Sequence, residues 1–250
     1  DAEKVPDIDE FRFGYLVRIS EEAVMEGHAV GRYSATHFRY PTVYGPRQIT
    51  PTVWTLMRRF MDGRPHIVLP DGGLSLSSRG HAENVAHAVL LAVRQPDAAA
   101  GQVYNCADDR QFTYTQWVEM IGREIGGEIE IITVPDKVAF PARSLMTFFG
   151  PADHKFFDIY KIKSELGYRD AVEPEAALAQ TVAWYRDHPP AETEAFARTL
   201  GEDYAMEDTL AEIYHESCAK YAAIDHIVRD FHHPYPHPKK PGLDKDHRAR

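Results

Sequence analysis

The sequence predicts an α/β fold in which short strands alternate with amphipathic helices. Three segments rich in β-branched and aromatic residues, at 33–40, 102–106 and 128–134, have the composition of strands. In the segments between and after them, apolar residues recur at helical spacing, bounded by capping residues, proline or glycine. Alternation of this kind indicates parallel strands that are connected by helices.

Four helices are predicted from their caps and their apolar period, at residues 51–62, 81–94, 113–125 and 175–187. Thr50 is the predicted cap of the first helix, and Pro51 occupies its first position. Thr113 and Gln116 form a capping-box pattern at the start of the third. A shorter helix is predicted at 159–166, and Gly167 marks its end.

Weaker patterns predict three further features before the C-terminal part of the chain. Residues 18–32 are predicted to form a helix with a mixed apolar face, and residues 42–46 are predicted to form a loop. The Pro-Asp-Gly-Gly segment at 70–73 has hairpin chemistry, so it is predicted to join strands at 66–69 and 74–76.

A double proline at 189–190 divides the chain into predicted domains of residues 1–190 and 191–250. The second is predicted to contain a long helix over 207–231, followed by an extended tail rich in proline and histidine. The apolar stripe of this helix consists of Leu210, Ile213, Tyr214, Cys218, Tyr221, Ile224 and Val228. The stripe is expected to pack against the body of the subunit, with an oligomer contact as the alternative.

Composition restricts the partners and the compartment. The 250 residues carry a formal net charge of −10, which argues against nucleic acid or an anionic membrane as the main partner. The longest apolar run, 85–93, is too short to span a bilayer. Cys106 and Cys218 cannot build a disulfide framework, so a cytoplasmic location is expected. The histidines near the C-terminus have no structural zinc spacing, and no metal site is predicted.

Four blocks of residues resemble, in order, motifs of the extended short-chain dehydrogenase/reductases, the NAD-dependent epimerase/dehydratase family. Residues 39–48 (RYPTVYGPRQ) resemble the R-Y-x-N-V-Y-G-P segment of the family, and residues 81–86 (HAENVA) resemble its H-V-D-D-V-A helix start. Residues 101–106 (GQVYNC) resemble its G-x-x-Y-N strand, and residues 158–168 (DIYKIKSELGY) resemble its D-x-S-K-x-x-x-E-L-G-Y segment. The resemblance covers about residues 18–188.

The matching region corresponds to the C-terminal half of such an enzyme. The resemblance therefore implies the C-terminal part of a Rossmann-type doubly wound sheet and a small substrate-binding subdomain, to which the long helix adds a helical C-terminal extension. It also implies NAD or NADP as the cofactor and a small-molecule substrate. It further implies a homo-oligomer such as a dimer, with a hetero-oligomer as the alternative.

The glycine fingerprint of dinucleotide-binding proteins is missing. None of the sixteen glycines falls into a G-x-G-x-x-G or G-x-x-G-x-x-G pattern, which permits a tight turn and close approach of the backbone to the pyrophosphate. The first five strands of the family also have no counterpart in residues 1–17. Either the chain is part of a longer protein, or the protein has lost its cofactor half, which would leave an open sheet edge.

The catalytic pair of the family is altered. The family uses Y-x-x-x-K, in which the lysine lowers the pKa of the tyrosine so that the phenolate can move a proton. Arg18 falls on the lysine position and Gly14 on the tyrosine position, while Tyr15 lies one residue later. Tyr15 and Arg18 are therefore the catalytic candidates, and Arg18 is also a candidate for bonding the cofactor ribose. The alternative for Arg18 is a helical surface arginine.

The resemblance also assigns the remaining site candidates. Tyr40 and Pro41 would lie beside the nicotinamide, with a buried strand end as the alternative. The substrate candidates are Thr42, Tyr44, Arg47, Arg79 and His81. Thr42 stands where the family has asparagine, and Ser77 and Ser78 stand where it has an Arg-Asp pair, which argues against a nucleotide sugar. Arg79 can take over anion binding; otherwise Arg79 and His81 cap the following helix.

Two functions remain open. The first is an NAD(P)-dependent epimerase, dehydratase or reductase that acts on a small hydroxy, keto or sugar-like substrate. The second is a catalytically silent relative that binds a dinucleotide or small molecule and acts as a partner subunit. The altered catalytic pair favours the second function, whereas the predominance of enzymes in the family favours the first.

Overall fold

The computed structural model describes residues 12–146 and 151–225 of the chain. Contact density divides the chain into two compact units, Asp1–Tyr214 and His215–Arg250. All the described strands lie in the first unit. The predicted domain boundary at residue 190 stays a prediction.

Parallel pairing dominates among the described strands. The strands are β1 (Thr36–Arg39), β2 (Thr42–Tyr44), β3 (His66–Pro70), β4 (Leu76–Ser77), β5 (Arg79–His81), β6 (Gln102–Asn105), β7 (Phe112–Thr113) and β8 (Glu130–Val134). The pairs β1–β6, β2–β5 and β3–β8 are parallel, and β4–β7 is antiparallel. Helices separate the partners of each parallel pair in sequence, as the crossover rule requires. The predicted α/β fold is confirmed, and the three predicted strands correspond to β1, β6 and β8.

The predicted helices are also present. The described helices are α1 (Arg12–Ala29), α2 (Thr52–Met61), α3 (Ala82–Arg94), α4 (Pro96–Ala99), α5 (Tyr114–Ile125), α6 (Tyr160–Leu166), α7 (Pro174–Asp187) and α8 (Glu194–Ala222). The predicted capping box of α5 is confirmed, because the Gln116 amide donates to the Thr113 hydroxyl at 3.1 Å and the Thr113 amide to Gln116 Oε1 at 2.9 Å. The predicted cap Thr50 and the predicted position of Pro51 inside the helix are both wrong, because α2 begins at Thr52 and Pro51 is its N-cap residue, with no side-chain cap bond.

The predicted hairpin at residues 70–73 is wrong. A 3-10 turn over Asp71–Gly73 follows β3, and positive φ angles at Asp71, Gly72 and Gly73 redirect the chain. Thr115 Oγ1 donates to the Gly72 carbonyl at 2.6 Å, so the turn contacts α5. All five residues of β3 are buried, and their partner strand is β8 rather than the adjacent segment. A strand buried on both faces is typical of parallel sheets.

Two other boundaries differ from the prediction. Residues 42–44 form β2 instead of a loop, because β5 pairs with them. Helix α1 begins at Arg12, six residues before the predicted start at 18. The apolar residues of its first turns, Phe13, Leu16 and Val17, are exposed, so they form no buried apolar face that a sequence pattern would reveal. The helix ends at Ala29 because Gly31 takes φ +74° and its amide donates to the His28 carbonyl.

The long C-terminal helix also differs from the prediction. Helix α8 begins at Glu194 rather than 207 and ends at Ala222, while Val228 of the predicted stripe lies outside the described residues. Leu210 and Tyr214 of the stripe pack against the β3–β8 pair, but Ile213 is 55% exposed. Among the described residues, no helix has the length and apolar character needed to cross a membrane.

Candidate functional site

A cavity of about 510 Å³ lies beside the segment 41–50, which follows strand β1. Its other walls come from α2, β5, α5 and the 3-10 turn Phe140–Leu145. Ligand sites in α/β folds lie where the chain leaves the carboxyl ends of parallel strands, and this volume is in the range of small-molecule pockets. The register of β2 and β5 sets Thr42 beside Arg79, so two distant segments form one wall.

Arg79 is the charged residue of this wall. Its guanidinium lies 4.4 Å from the ring centroid of Trp117 and 5.0 Å from that of Tyr114, and Nη1 donates to the Ser77 carbonyl at 3.1 Å. Burial lowers the pKa of Arg79 to about 10, so the side chain remains cationic near neutral pH. In the described parts of the chain Arg79 forms no ion pair with a carboxylate. Its positive charge is therefore available to an anion.

Arg47 is the second cation of the cavity lining. It is exposed, and its φ of 64° is uncommon for a residue with a side chain. The lining contains Arg47 and Arg79 but no aspartate or glutamate. The cavity is therefore positively charged within a chain whose net charge is −10. This local charge favours an anionic ligand.

A buried polar cluster lies behind the cavity. Asp108 accepts the His81 amide and the Asn84 side-chain amide, both at 2.8 Å, and burial raises the pKa of Asp108. The Tyr44 ring lies 5.2 Å from the His81 ring, and burial raises the pKa of Tyr44. Burial lowers the pKa of His81, whose ring nitrogens have no described partner. Asn84 also bonds the backbone of Val172 through both atoms of its amide, so this cluster holds β5 and the following helix in place.

The predicted site residues are only partly brought together. Pro41, Thr42, Tyr44, Arg47 and Arg79 line the cavity. Tyr40 and His81 are adjacent to lining residues without being part of the lining themselves. Tyr40 is 41% exposed, and its ring stacks on Phe38 with a centroid distance of 6.0 Å.

Tyr15 and Arg18 lie on α1, outside the cavity lining. The Arg18 guanidinium lies 5.2 Å from the Tyr15 ring centroid, and Nη1 donates to Glu22 at 2.8 Å. Arg18 Nε is buried and has no partner in the described parts of the chain. The neighbouring Glu21 accepts hydrogen bonds from Arg39 of β1 through both carboxylate oxygens, and these bonds attach α1 to the strand.

Comparison with known proteins identifies part of the chain. Residues 12–107 match the NAD dependent epimerase/dehydratase family. This segment belongs to that family. A dTDP-glucose 4,6-dehydratase of Actinoplanes sp. is 29% identical over 145 residues, which are 57% of this chain and 41% of that protein.

Solved structures of epimerases and dehydratases have the same fold. The dTDP-glucose 4,6-dehydratase of Bacillus anthracis in complex with NAD gives a TM-score of 0.55 at 18% identity, covering 74% of this chain and 55% of that one. The UDP-glucose 4-epimerase of Thermotoga maritima with UDP-glucose gives a TM-score of 0.55 at 23% identity, covering 70% of this chain and 53% of that one. The chain spans about half the length of these proteins.

The sequence patterns did not predict the aromatic residues that contact Arg79. Tyr114 and Trp117 lie at positions i and i+3 of α5, so they share one helix face and meet the Arg79 guanidinium together. Their spacing on one helix face can be read from the sequence, because the capping box fixes the start of α5. Their proximity to Arg79 was not, because β5 and α5 come together only through tertiary packing.

The residues present supply candidate contacts for only one end of a dinucleotide. The unpartnered Nε of Arg18 is a donor suited to a ribose hydroxyl, as the family resemblance implies for this position. The chain has no glycine pattern to accept a pyrophosphate. Arg18, Tyr40 and Pro41 are therefore the candidates for the nicotinamide-ribose end alone.

We expect the 250-residue chain to bind neither NAD nor NADP tightly, because it carries no pyrophosphate-binding turn. Titration calorimetry of the chain with each dinucleotide measures this. Clear binding in the low micromolar range would contradict the expectation.

Proposed function

We propose that this chain provides the substrate-binding part of an NAD(P)-dependent epimerase, dehydratase or reductase. The substrate is a small hydroxy, keto or sugar-like compound. The observation that carries the proposal is the cavity of about 510 Å³, which is built on the segment that resembles the family's R-Y-x-N-V-Y-G-P motif. NAD in the Bacillus anthracis relative and UDP-glucose in the Thermotoga maritima relative support this class of reaction.

Each lining residue has a defined task in this proposal. Arg79 and Arg47 hold an anionic group of the substrate, and the aromatic rings beside Arg79 limit the directions in which its guanidinium can point. Thr42 and Tyr44 shape the cavity beside Arg79, and the Tyr44 ring does so with its hydroxyl turned to the Pro174 carbonyl, to which it donates at 3.4 Å. His81, which is 1% exposed, supports Tyr44 from behind rather than moving a proton in the cavity.

The chemistry of the reaction is hydride and proton transfer. The nicotinamide, when bound, accepts a hydride from a substrate C–H bond. Pro41 is the residue through which the nicotinamide-ribose end would border the cavity. Tyr15 is the candidate for the proton transfer, because Gly14 in the family's tyrosine position has no side-chain hydroxyl.

A catalytically silent subunit is the second candidate. The observation that favours it is the hydrogen bond of 2.8 Å from Arg18 Nη1 to Glu22. This bond takes up a donor that Arg18 would otherwise offer to Tyr15 or to the cofactor. An assay of the protein in its full natural length decides between the two candidates. Conversion of nucleotide-linked or small hydroxy substrates to product supports the enzyme, and its complete absence supports the silent subunit. Product is followed by NMR, because an epimerase or dehydratase returns the hydride and gives no net nicotinamide reduction. Cytoplasmic location and a homo-oligomeric state remain parts of this proposal.

Arg79→Met is expected to weaken binding of glucose 1-phosphate, an anionic sugar-like probe of the cavity, at least about tenfold. A charge-assisted hydrogen bond contributes about 1.5–3 kcal/mol, and 1.4 kcal/mol corresponds to a factor of ten. Calorimetry measures the dissociation constant. Arg94→Met is the matched control, because Arg94 is an exposed arginine at the end of α3. Equal affinity of the Arg79→Met variant and the unaltered protein would refute this role for Arg79.

A further inference from the structure

Helix α8 contacts two of the elements that line the cavity. One is α2, whose Leu56 lines the cavity. The other is the 3-10 turn Phe140–Leu145, whose Ser144 and Leu145 line it together with Met146. The α8 residues that reach them are Asp203 and Glu207, which lie four positions apart and therefore share one helix face.

The contact with α2 is a buried ion pair. Arg59 and Glu207 both have fully buried side chains, and Arg59 donates to Glu207 Oε1 from Nε at 2.9 Å and from Nη2 at 2.6 Å. Arg59 Nη1 also donates to the Thr55 carbonyl of its own helix at 3.1 Å. Arg59 lies one helical turn after Leu56. The ion pair therefore restrains the part of α2 that borders the cavity.

The contact with the 3-10 turn is a hydrogen bond at the cavity wall. The Ser144 hydroxyl lies 3.2 Å from Asp203 Oδ2 and 3.3 Å from the Pro141 carbonyl oxygen. Asp203 is not part of the cavity lining, whereas Ser144 is. The hydroxyl has a single proton, so Asp203 competes with a bond inside the turn and can link the wall to α8.

The polar contacts of Asp203 and Glu207 are separate from the apolar contacts that pack α8 against the β3–β8 pair. Leu210, Ala211 and Tyr214 already cover the outer face of the β3–β8 pair. The polar contacts lie one to two turns earlier on α8, where the helix passes the cavity walls. A buried ion pair gives little net stability relative to apolar residues of similar size, but its hydrogen bonds require a defined distance and angle between the two side chains.

We propose that α8 sets the position of two cavity walls, with Asp203 and Glu207 as positioning residues that act through Ser144 and Arg59. Neither carboxylate touches the cavity. For substrate affinity this inference rests on the proposed function, since it assumes that the cavity is where the substrate binds. The position of the walls themselves is independent of that assumption.

The test is amide hydrogen exchange of the full chain carrying Asp203→Ala. Loss of one hydrogen bond is expected to speed exchange in residues 140–146 about threefold to tenfold, with little change in β3. Asp203→Asn retains an acceptor oxygen for Ser144 and should restore slow exchange. Asp208→Ala is the matched control, because Asp208 bonds Arg64 and His66 and neither of these lines the cavity.

Three results would overturn the proposal. They are unchanged exchange in Asp203→Ala, equal acceleration in Asp208→Ala, or acceleration spread over β3 as well as the wall. Failure of Asp203→Asn to restore slow exchange would also count against it. In an active full-length protein, Asp203→Ala should raise KM about threefold to tenfold and leave kcat within about twofold. If no substrate is turned over, the proposed function fails while the exchange experiment still decides the role of α8.

Discussion

Glu207→Ala is expected to lower the free energy of unfolding by about 3–5 kcal/mol. The substitution removes the carboxylate that bonds the buried Arg59 guanidinium and, among the described residues, leaves only the charge of Asp203 nearby to offset it. The cost of burial is already evident in the native protein, because burial raises the pKa of Glu207 in spite of the nearby Arg59. Urea unfolding followed by circular dichroism measures the change.

A double variant separates the charge from the shape. Arg59→Met combined with Glu207→Leu removes both charges and fills the space with apolar atoms, so its stability should lie close to that of the unaltered protein. Glu202→Ala is the control on α8, because the Glu202 side chain is 69% exposed and pairs only loosely with Arg198. A double variant as unstable as Glu207→Ala would show that the pair itself provides net stability.

Tyr15→Phe is expected to reduce kcat at least about hundredfold if the full-length protein is an active epimerase or dehydratase. General acid–base catalysis typically contributes about 10²–10⁴-fold. An arginine stays protonated at working pH, so Arg18 can hold charge but cannot cycle a proton. Tyr15 is then the hydroxyl group on α1 that lies beside this cation, with its ring centroid 5.2 Å from the guanidinium. Steady-state kinetics measures the loss.

Tyr160→Phe is the matched control for this experiment, because Tyr160 is 74% exposed on α6. Circular dichroism should show that both variants keep the native fold. Near-normal turnover of Tyr15→Phe would eliminate Tyr15 as the acid–base group. The acid–base group would then belong to a part of the protein other than α1.

Much of the fold could be predicted from local signals. The capping box of Thr113 and Gln116 predicted the start of α5 because both bonds are formed within four residues. The apolar periods likewise predicted α2, α3 and α7. The hairpin prediction at 70–73 failed because β3 pairs with β8 rather than with the adjacent segment, while the turn contacts α5, and a turn pattern contains neither partner.

The candidate site was predictable on the side that resembles a known motif. Pro41, Thr42, Tyr44 and Arg47 lie together in sequence and line one cavity. Trp117 could not be assigned to it, because its contact with Arg79 depends on packing between β5 and α5. The distance of Tyr15 and Arg18 from the lining could not be predicted either, since it depends on how α1 lies against β1.

By itself, the sequence determined the α/β alternation, the family resemblance and the absence of a glycine fingerprint, because caps, periods and motifs are encoded in neighbouring residues. Only the tertiary structure decided that α8 is attached through a buried carboxylate. Glutamate is usually found on the surface, so the sequence predicts an exposed Glu207. Its burial depends on Arg59, which lies 148 positions earlier in the chain. Burial of a charge is a property of the pair, and no local pattern contains both of its members.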